Sequence, residues 1–159
     1  MKPADYDQRN IKIIINNKRA RHDYEVMRTL EAGIVLQGTE VKSLRQGKSN
    51  VQDAYATFPN NSDDELFLLN FHIAPYDHGN RENHESKRPR KLLVTHREAV
   101  KLRTAVMEKG LTLIPLKLYF SGPYVKVELG LVRARKKYDK REALKERDTK
   151  KDISRHYRV

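Results

Sequence analysis

Three internal runs of this 159-residue chain place cations and rings where they could grip a polyanion. "NKRARHDY" carries Lys18, Arg19, Arg21, His22 and Tyr24, a mixture of phosphate-directed charge and rings able to stack on bases. "KSLRQGK" sets Lys42 and Arg45 one helical turn apart, with Lys48 just beyond, and "ESKRPRK" adds Lys87, Arg88, Arg90 and Lys91 around Pro89. A fourth basic run closes the chain. Any one such cluster is an ordinary solvated face. Four of them in so short a chain point to nucleic acid as the partner. RNA suits the pattern better than duplex DNA, since no helix reads as a major-groove reader and exposed rings favour unpaired bases.

The formal net charge is +12. From Arg133 to Val159 there are 12 basic and 5 acidic residues, against 21 and 16 in the rest, so the tail is far denser in charge. Such a field concentrates polyanions around it. An anionic membrane is the competing partner, but the tail lacks the apolar face that an interfacial helix buries. Cysteine is absent, which excludes disulfides and thiolate metal sites and fits a reducing compartment. "MKPADYDQRN" contains no apolar run to act as a signal peptide, and no segment reaches membrane-spanning length. A cytoplasmic protein is the expectation.

Catalytic chemistry is thinly supplied. His72, His78 and His84 recur every six residues, yet in irregular sequence with no carboxylate at ligand spacing. "DDE" (Asp63 to Glu65) could hold a divalent cation in a small ribonuclease, but it follows "PNNS", where acidic turn residues are common. Phosphate loops, nucleophile elbows and paired-histidine motifs are missing. The expectation is a binding protein with no catalytic residue, no metal and no cofactor. A metal-dependent ribonuclease and a generic RNA chaperone or ribosomal protein remain as alternatives.

The elements that must position these residues alternate between two periods. "IKIII" (Ile11 to Ile15) reads as a strand. Asp23 would cap a helix through Leu30 ended by Gly33, and "IVL" (Ile34 to Leu36) a short strand. Thr39 would open a second helix closed by Gly47. Ala54, Ala56 and Phe58 share a strand face, as do Phe67, Leu69, Phe71 and Ile73 in the next apolar run. Pro75 to Arg90 reads as a long polar loop, and "RKLLV" leads out of it. Thr95 and Glu98 have capping-box spacing at the head of a helix that presents Ala99, Leu102 and Val106 and stops at Gly110. "LTLIPLKLYF" and "YVKVELGLV" form a hairpin about "SGP". The order implies a mainly β fold: a small antiparallel barrel with about three flanking helices, residues 1–132, followed by a basic tail, 133–159.

The blocks "NKRARHDY", "EAGIVLQGTEVKSLRQGKSNVQDAYA", "RKLLV" and "KGLTLIPLKLYFSGPYVKVELGLVRARKKYDKR" closely resemble the SsrA-binding protein (small protein B) family, over about Asn17 to Arg147. The resemblance implies an oligonucleotide-binding-type barrel, acting as a monomer, that binds the tRNA-like part of transfer-messenger RNA and delivers it to stalled ribosomes. Alanyl-tRNA synthetase and elongation factor Tu would be met only through that RNA. Carried over by motif, the RNA surface comprises Asn17, Lys18, Arg19, Arg21, His22, Tyr24 and Glu31, then Lys42, Arg45, Asn50 and Tyr55, with Arg88, Arg90 and Lys91 added from their basic run. Glu31 would accept hydrogen bonds from base or ribose groups, though a helix-end carboxylate paired with a neighbouring cation is an equal reading.

For the tail, the resemblance implies a segment disordered when free and helical on the ribosome, probing the empty decoding site and message channel. Its contacts would be Arg135, Lys136, Lys137, Tyr138, Asp139, Lys140, Arg141, Lys145 and Arg147. Glu146–Lys150, Asp148–Lys151 and Asp152–Arg155 are helical ion-pair spacings worth only ~0.2–0.5 kcal/mol each, so such a helix would need an RNA surface to form. Tyr138 stands where many family members have His, and Ala134 and Arg135 where they have Gly and Lys. Either ring at 138 can stack on a base.

Overall fold

Gly122, at φ +58°, closes a turn that folds the two longest alternating runs onto each other. The computed structural model describes residues 11–60, 64–79 and 82–135. Within them the order is β1 (Ile11–Asn16), α1 (Lys18–Asp23), β2 (Tyr24–Ile34), α2 (Gly38–Arg45), β3 (Ser49–Asn50), β4 (Tyr55–Thr57), β5 (Leu66–Leu69), β6 (His72–Ile73), β7 (Arg90–Leu93), α3 (His96–Lys109), β8 (Thr112–Ser121) and β9 (Tyr124–Ala134). Every strand pairing is antiparallel, and β2–β9–β8–β4–β5–β7 closes on itself as a barrel. β1 adds to β8 beside β4, and β3 with β6 makes a separate two-residue ribbon. The closed antiparallel barrel with three helices matches the expected class. β9 runs to Ala134, two residues past the expected domain boundary.

The barrel interior takes Leu66, Leu68, Leu92, Leu113, Leu118, Val127 and Leu129, each at most 2% exposed. Burying one Leu is worth about 1.5–3 kcal/mol. Helix α3 adds Ala99, Leu102 and Ala105 to that core, and α2 adds Leu44. A second cluster lies apart from it: Ala20 of α1 packs with Ile114, Leu116 and Val132, flanked by Tyr24 and Val26. A register shift between Pro115 and Lys117 of β8 accompanies this change of side for Leu116. Gly130 on β9 makes the room, because a Cβ there would stand 2.8 Å from Leu116 Cδ1.

Five local expectations change. Asn17, not Asp23, begins the first helix, and residues 24–34 are strand. Ala20 is the one buried residue of α1, so its charged sequence shows no apolar period, while Leu30, Ala32 and Ile34 alternate into the core. Helix α2 starts from Gln37 rather than Thr39. Leu66 and Leu68, not Phe67 and Leu69, face inward, and Asn70 at φ +58° resets the phase so that Phe71 and Ile73 are buried after it. Thr95 caps α3 by accepting from the Glu98 N–H, but the Glu98 carboxylate reaches Arg28 at 3.1 Å instead of returning to the cap.

The fifth change is Arg90, expected on the RNA surface. It is fully buried, as is Glu40. Arg90 Nε donates to Glu40 Oε2, Nη1 to the Phe71 carbonyl at 2.5 Å and Nη2 to the Ser86 carbonyl at 3.2 Å. Glu40 Oε1 accepts from Arg88 Nη2 at 2.6 Å and from the Gln37 N–H at 2.7 Å. Burial alone would raise the Glu40 carboxyl, but the hydrogen bonds from Arg88, Gln37 and Arg90, with the Arg90 charge, hold it below its ordinary 4.5. Burial pushes the Arg90 guanidinium down, against the pull of Glu40.

A carboxyl held low in the folded state stabilises the fold above its unfolded value and loses that contribution as pH falls through the folded value. Glu40→Gln should therefore cost about 3–5 kcal/mol near neutral pH, since it strands a buried guanidinium. The gap between the urea midpoints of variant and parent should narrow as pH falls below the ordinary glutamate value of 4.5. A gap independent of pH would show that the charge of Glu40 is not what holds this centre.

Candidate nucleic-acid interface

Asn17 joins three elements. Its side chain donates to the Pro115 carbonyl at 2.9 Å and accepts from the Ala20 N–H at 3.2 Å, while its own N–H donates to the Leu116 carbonyl at 2.8 Å. Sequence reasoning placed Asn17 among RNA contacts; here its amide clamps α1 onto β8. With Ala20 turned inward, Lys18, Arg19, Arg21 and His22 are left exposed. Asp23 draws in Arg19 at 3.7 Å and His22 at 3.2 Å. β2 pairs Tyr24 with Ala134, and the Arg135 N–H donates to the Asp23 carbonyl at 3.4 Å, so the start of the tail leaves the barrel beside this basic helix.

A groove of about 510 Å³ runs along the helix. Asn17, Arg19, Asp23 and Tyr24 form one side, Gln52, Asp53 and Tyr55 the other, with Thr112 and Ile114 among the remaining lining. Tyr24 is half-buried against the small outer cluster, whereas Tyr55 is 37% exposed. Two rings and a guanidinium therefore line one cleft, a combination suited to splayed bases and their phosphates. Gln52 and Asp53 escaped sequence reasoning. The signal was their place next to Tyr55, inside the block that carried the resemblance.

Glu31 lies on a different face, on β2 rather than at a helix end. It is exposed, directly opposite Glu128 of β9, and its carboxylate accepts a hydrogen bond from the Tyr119 hydroxyl. Lys117 answers Glu128 at 3.8 Å. Lys42, Arg45 and Asn50 are exposed, with the Arg45 guanidinium 4.8 Å from the Phe120 ring centre and Asn50 Oδ1 accepting from the Gln52 N–H at 2.8 Å. Lys91 is exposed and 3.6 Å from Glu65, while Arg88 is spent largely on Glu40. Arg90 cannot meet a ligand from inside the protein. Arg135 is exposed. Lys136, Lys137, Tyr138, Asp139, Lys140, Arg141, Lys145 and Arg147, together with the tail ion pairs, lie outside the described residues.

Of the residues weighed for metal chemistry, His84, Asp64 and Glu65 are bonded to other groups. His84 is buried, bonded to the Thr39 hydroxyl and the Ile73 carbonyl, both at 2.9 Å. Asp64 meets Arg103 and His96 at 2.5 Å each. Asp63 lies outside the described residues, and among those described no three metal-ligating side chains gather.

Fold and surface together define a small closed barrel of the oligonucleotide-binding type, with cations and rings along an external groove. A family model described as SmpB protein matches residues 14–159, and the chain belongs to that family. Relatives named SsrA-binding protein include one from Carboxydothermus hydrogenoformans, 53% identical over 148 residues covering 93% of this chain and 97% of its own. One from Geotalea uraniireducens is 52% identical over 143 residues, covering 90% and 93%. One from Staphylococcus aureus is 51% identical over 142 residues, covering 89% and 90%. A solved chain from "tmRNA-SmpB: a journey to the center of the bacterial ribosome" is 48% identical, with a TM-score of 0.64 over 79% of this chain and 91% of its own.

Two substitutions separate clamp from contact. Asn17→Ala should lower stability by about 1–2 kcal/mol by uncapping α1, read as a reduced urea midpoint. Arg21→Ala should leave that midpoint within about 0.5 kcal/mol while weakening RNA binding and reducing its salt slope by about one. Equal stability of the two variants would remove the structural role given to Asn17.

Proposed function

We propose that this protein is an RNA-binding adaptor of trans-translation, whose barrel holds the tRNA-like part of transfer-messenger RNA and accompanies it to stalled ribosomes. The observation that carries the reading is the groove in which Arg19, Tyr24 and Tyr55 converge beside the exposed cations of α1. Membership of the SmpB family supports it, as do relatives named for binding SsrA and a similar solved chain studied with tmRNA in the bacterial ribosome. The protein's part is recognition: cations meet phosphates, rings stack on unpaired bases, and the Glu31 carboxylate accepts hydrogen bonds from base or ribose groups. The cytoplasm is the compartment this work requires. No helix among the described residues is long and apolar enough to cross a membrane.

The work divides in two. The barrel, with Lys18, Arg19, Arg21, His22, Tyr24, Tyr55, Glu31, Lys42, Arg45, Asn50 and Lys91, faces transfer-messenger RNA. The tail from Arg135 onward faces the decoding site and message channel of the ribosome. Deleting residues after Ala134 should leave affinity for transfer-messenger RNA largely intact and abolish peptide tagging on stalled ribosomes. Tagging by the truncated protein would sink the division. Full-length protein should also prefer transfer-messenger RNA to unrelated structured RNAs at equal salt; equal binding would identify a general chaperone instead.

A further inference from the structure

The loop after β6 carries two rings, Tyr76 and His78, that neither the basic runs nor the groove includes. Tyr76 and His78 meet edge to face, ring centres 5.4 Å apart and planes at 73°. Lys42 Nζ of α2 stands 5.3 Å from the Tyr76 ring centre. Lys48 bonds Asp77 at 2.8 Å, answering the acid that would otherwise repel a phosphate. No carboxylate among the described residues is paired with Lys42, so the cluster retains one positive charge.

The loop is held from behind. Asn83 mimics a strand partner: its Oδ1 accepts from the Tyr76 N–H at 3.0 Å and its Nδ2 donates to the Tyr76 carbonyl at 2.7 Å. Gly79 lets the amide approach, since a Cβ there would lie 2.9 Å from Asn83 Cγ and Nδ2. An exposed imidazole on a clamped loop binds with little ordering cost. Lys48 stands four positions before Gln52 of the groove, at most about 14 Å of chain.

We propose that Tyr76 and His78, with Lys42, form a second RNA subsite, which stacks one unpaired base on the His78 ring and takes the adjoining phosphate on Lys42. Tyr76 sets the imidazole at a fixed angle, and Asn83 positions Tyr76. The subsite rests on the RNA-binding reading above and deepens it, joining Lys42 of that surface to two rings that the reading leaves unassigned. A duplex would not engage it, because stacking requires a splayed base.

The test uses full-length protein and two probes: a fluorescent oligoadenylate of about ten nucleotides and the tRNA-like half of transfer-messenger RNA. His78→Ala removes an exposed ring and should weaken oligoadenylate binding about five- to tenfold, with an unchanged salt slope and melting temperature. Tyr76→Phe should bind as the parent does and Tyr76→Leu as His78→Ala does. Lys42→Met should lower the salt slope by about one. Parental affinity in His78→Ala and Tyr76→Leu, or equal losses in Tyr76→Phe and Tyr76→Leu, overturns the subsite. Failure of the parent to prefer the tRNA-like RNA over an unrelated structured RNA overturns the adaptor reading instead, while the oligoadenylate comparison still decides the subsite.

Discussion

A buried carboxylate–guanidinium pair organises the half of the barrel where α2 and the loop before β7 meet. Two charges inside a protein are tolerable only when their remaining hydrogen-bonding capacity is met. Glu40 and Arg90 meet that condition through Gln37, Arg88, Phe71 and Ser86. The guanidinium suits this position because its planar fork serves several acceptors at once. The pair orients α2, and so determines that Lys42 and Arg45 face outward while Leu44 joins the core. It also anchors both ends of the loop that presents Tyr76. The cations of this region can contact a ligand because two charges behind them do not.

The other basic surface is built on a neutral clamp. Asn17 ties β1, α1 and β8 together through one amide and one N–H. Ala20 is small enough to let the short helix lie on Ile114 and Leu116. Six residues of helix carry too little propensity to hold themselves together in water, so the basic face of α1 exists because of what lies underneath it. Tyr24 and Tyr55 then approach from different strands, and the groove between them is a property of barrel closure rather than of any local motif.

Legibility followed locality. The β8–β9 hairpin and α3 were readable because their turns, caps and periods sit within a few residues: Ser121 to Pro123, Thr95 and Gly110. The α1–β2 boundary was not, since a helix held by one alanine shows no apolar period and a capping Asn resembles any loop polar residue. Asn70, with its left-handed backbone, shifted the strand phase without any sequence signature stronger than its residue type. Arg90 was misread for a different reason. In "ESKRPRK" nothing separates the arginine that enters the core from its neighbours, because its partner, Glu40, is fifty positions away in the chain. The basic character of the surface was legible, but not which cations are committed to the fold.

β9 carries the chain past the barrel as far as Ala134, and the Arg135 N–H then meets the last residue of α1. The root of the tail is thus anchored next to the surface proposed to hold transfer-messenger RNA. In the proposed division of labour, the common root would turn engagement by one surface into an intramolecular event for the other, governed by an effective molarity rather than by bulk concentration. A neutral linker inserted directly after Arg135 would retune the geometry of that coupling while leaving the residues of both proposed contact surfaces in place.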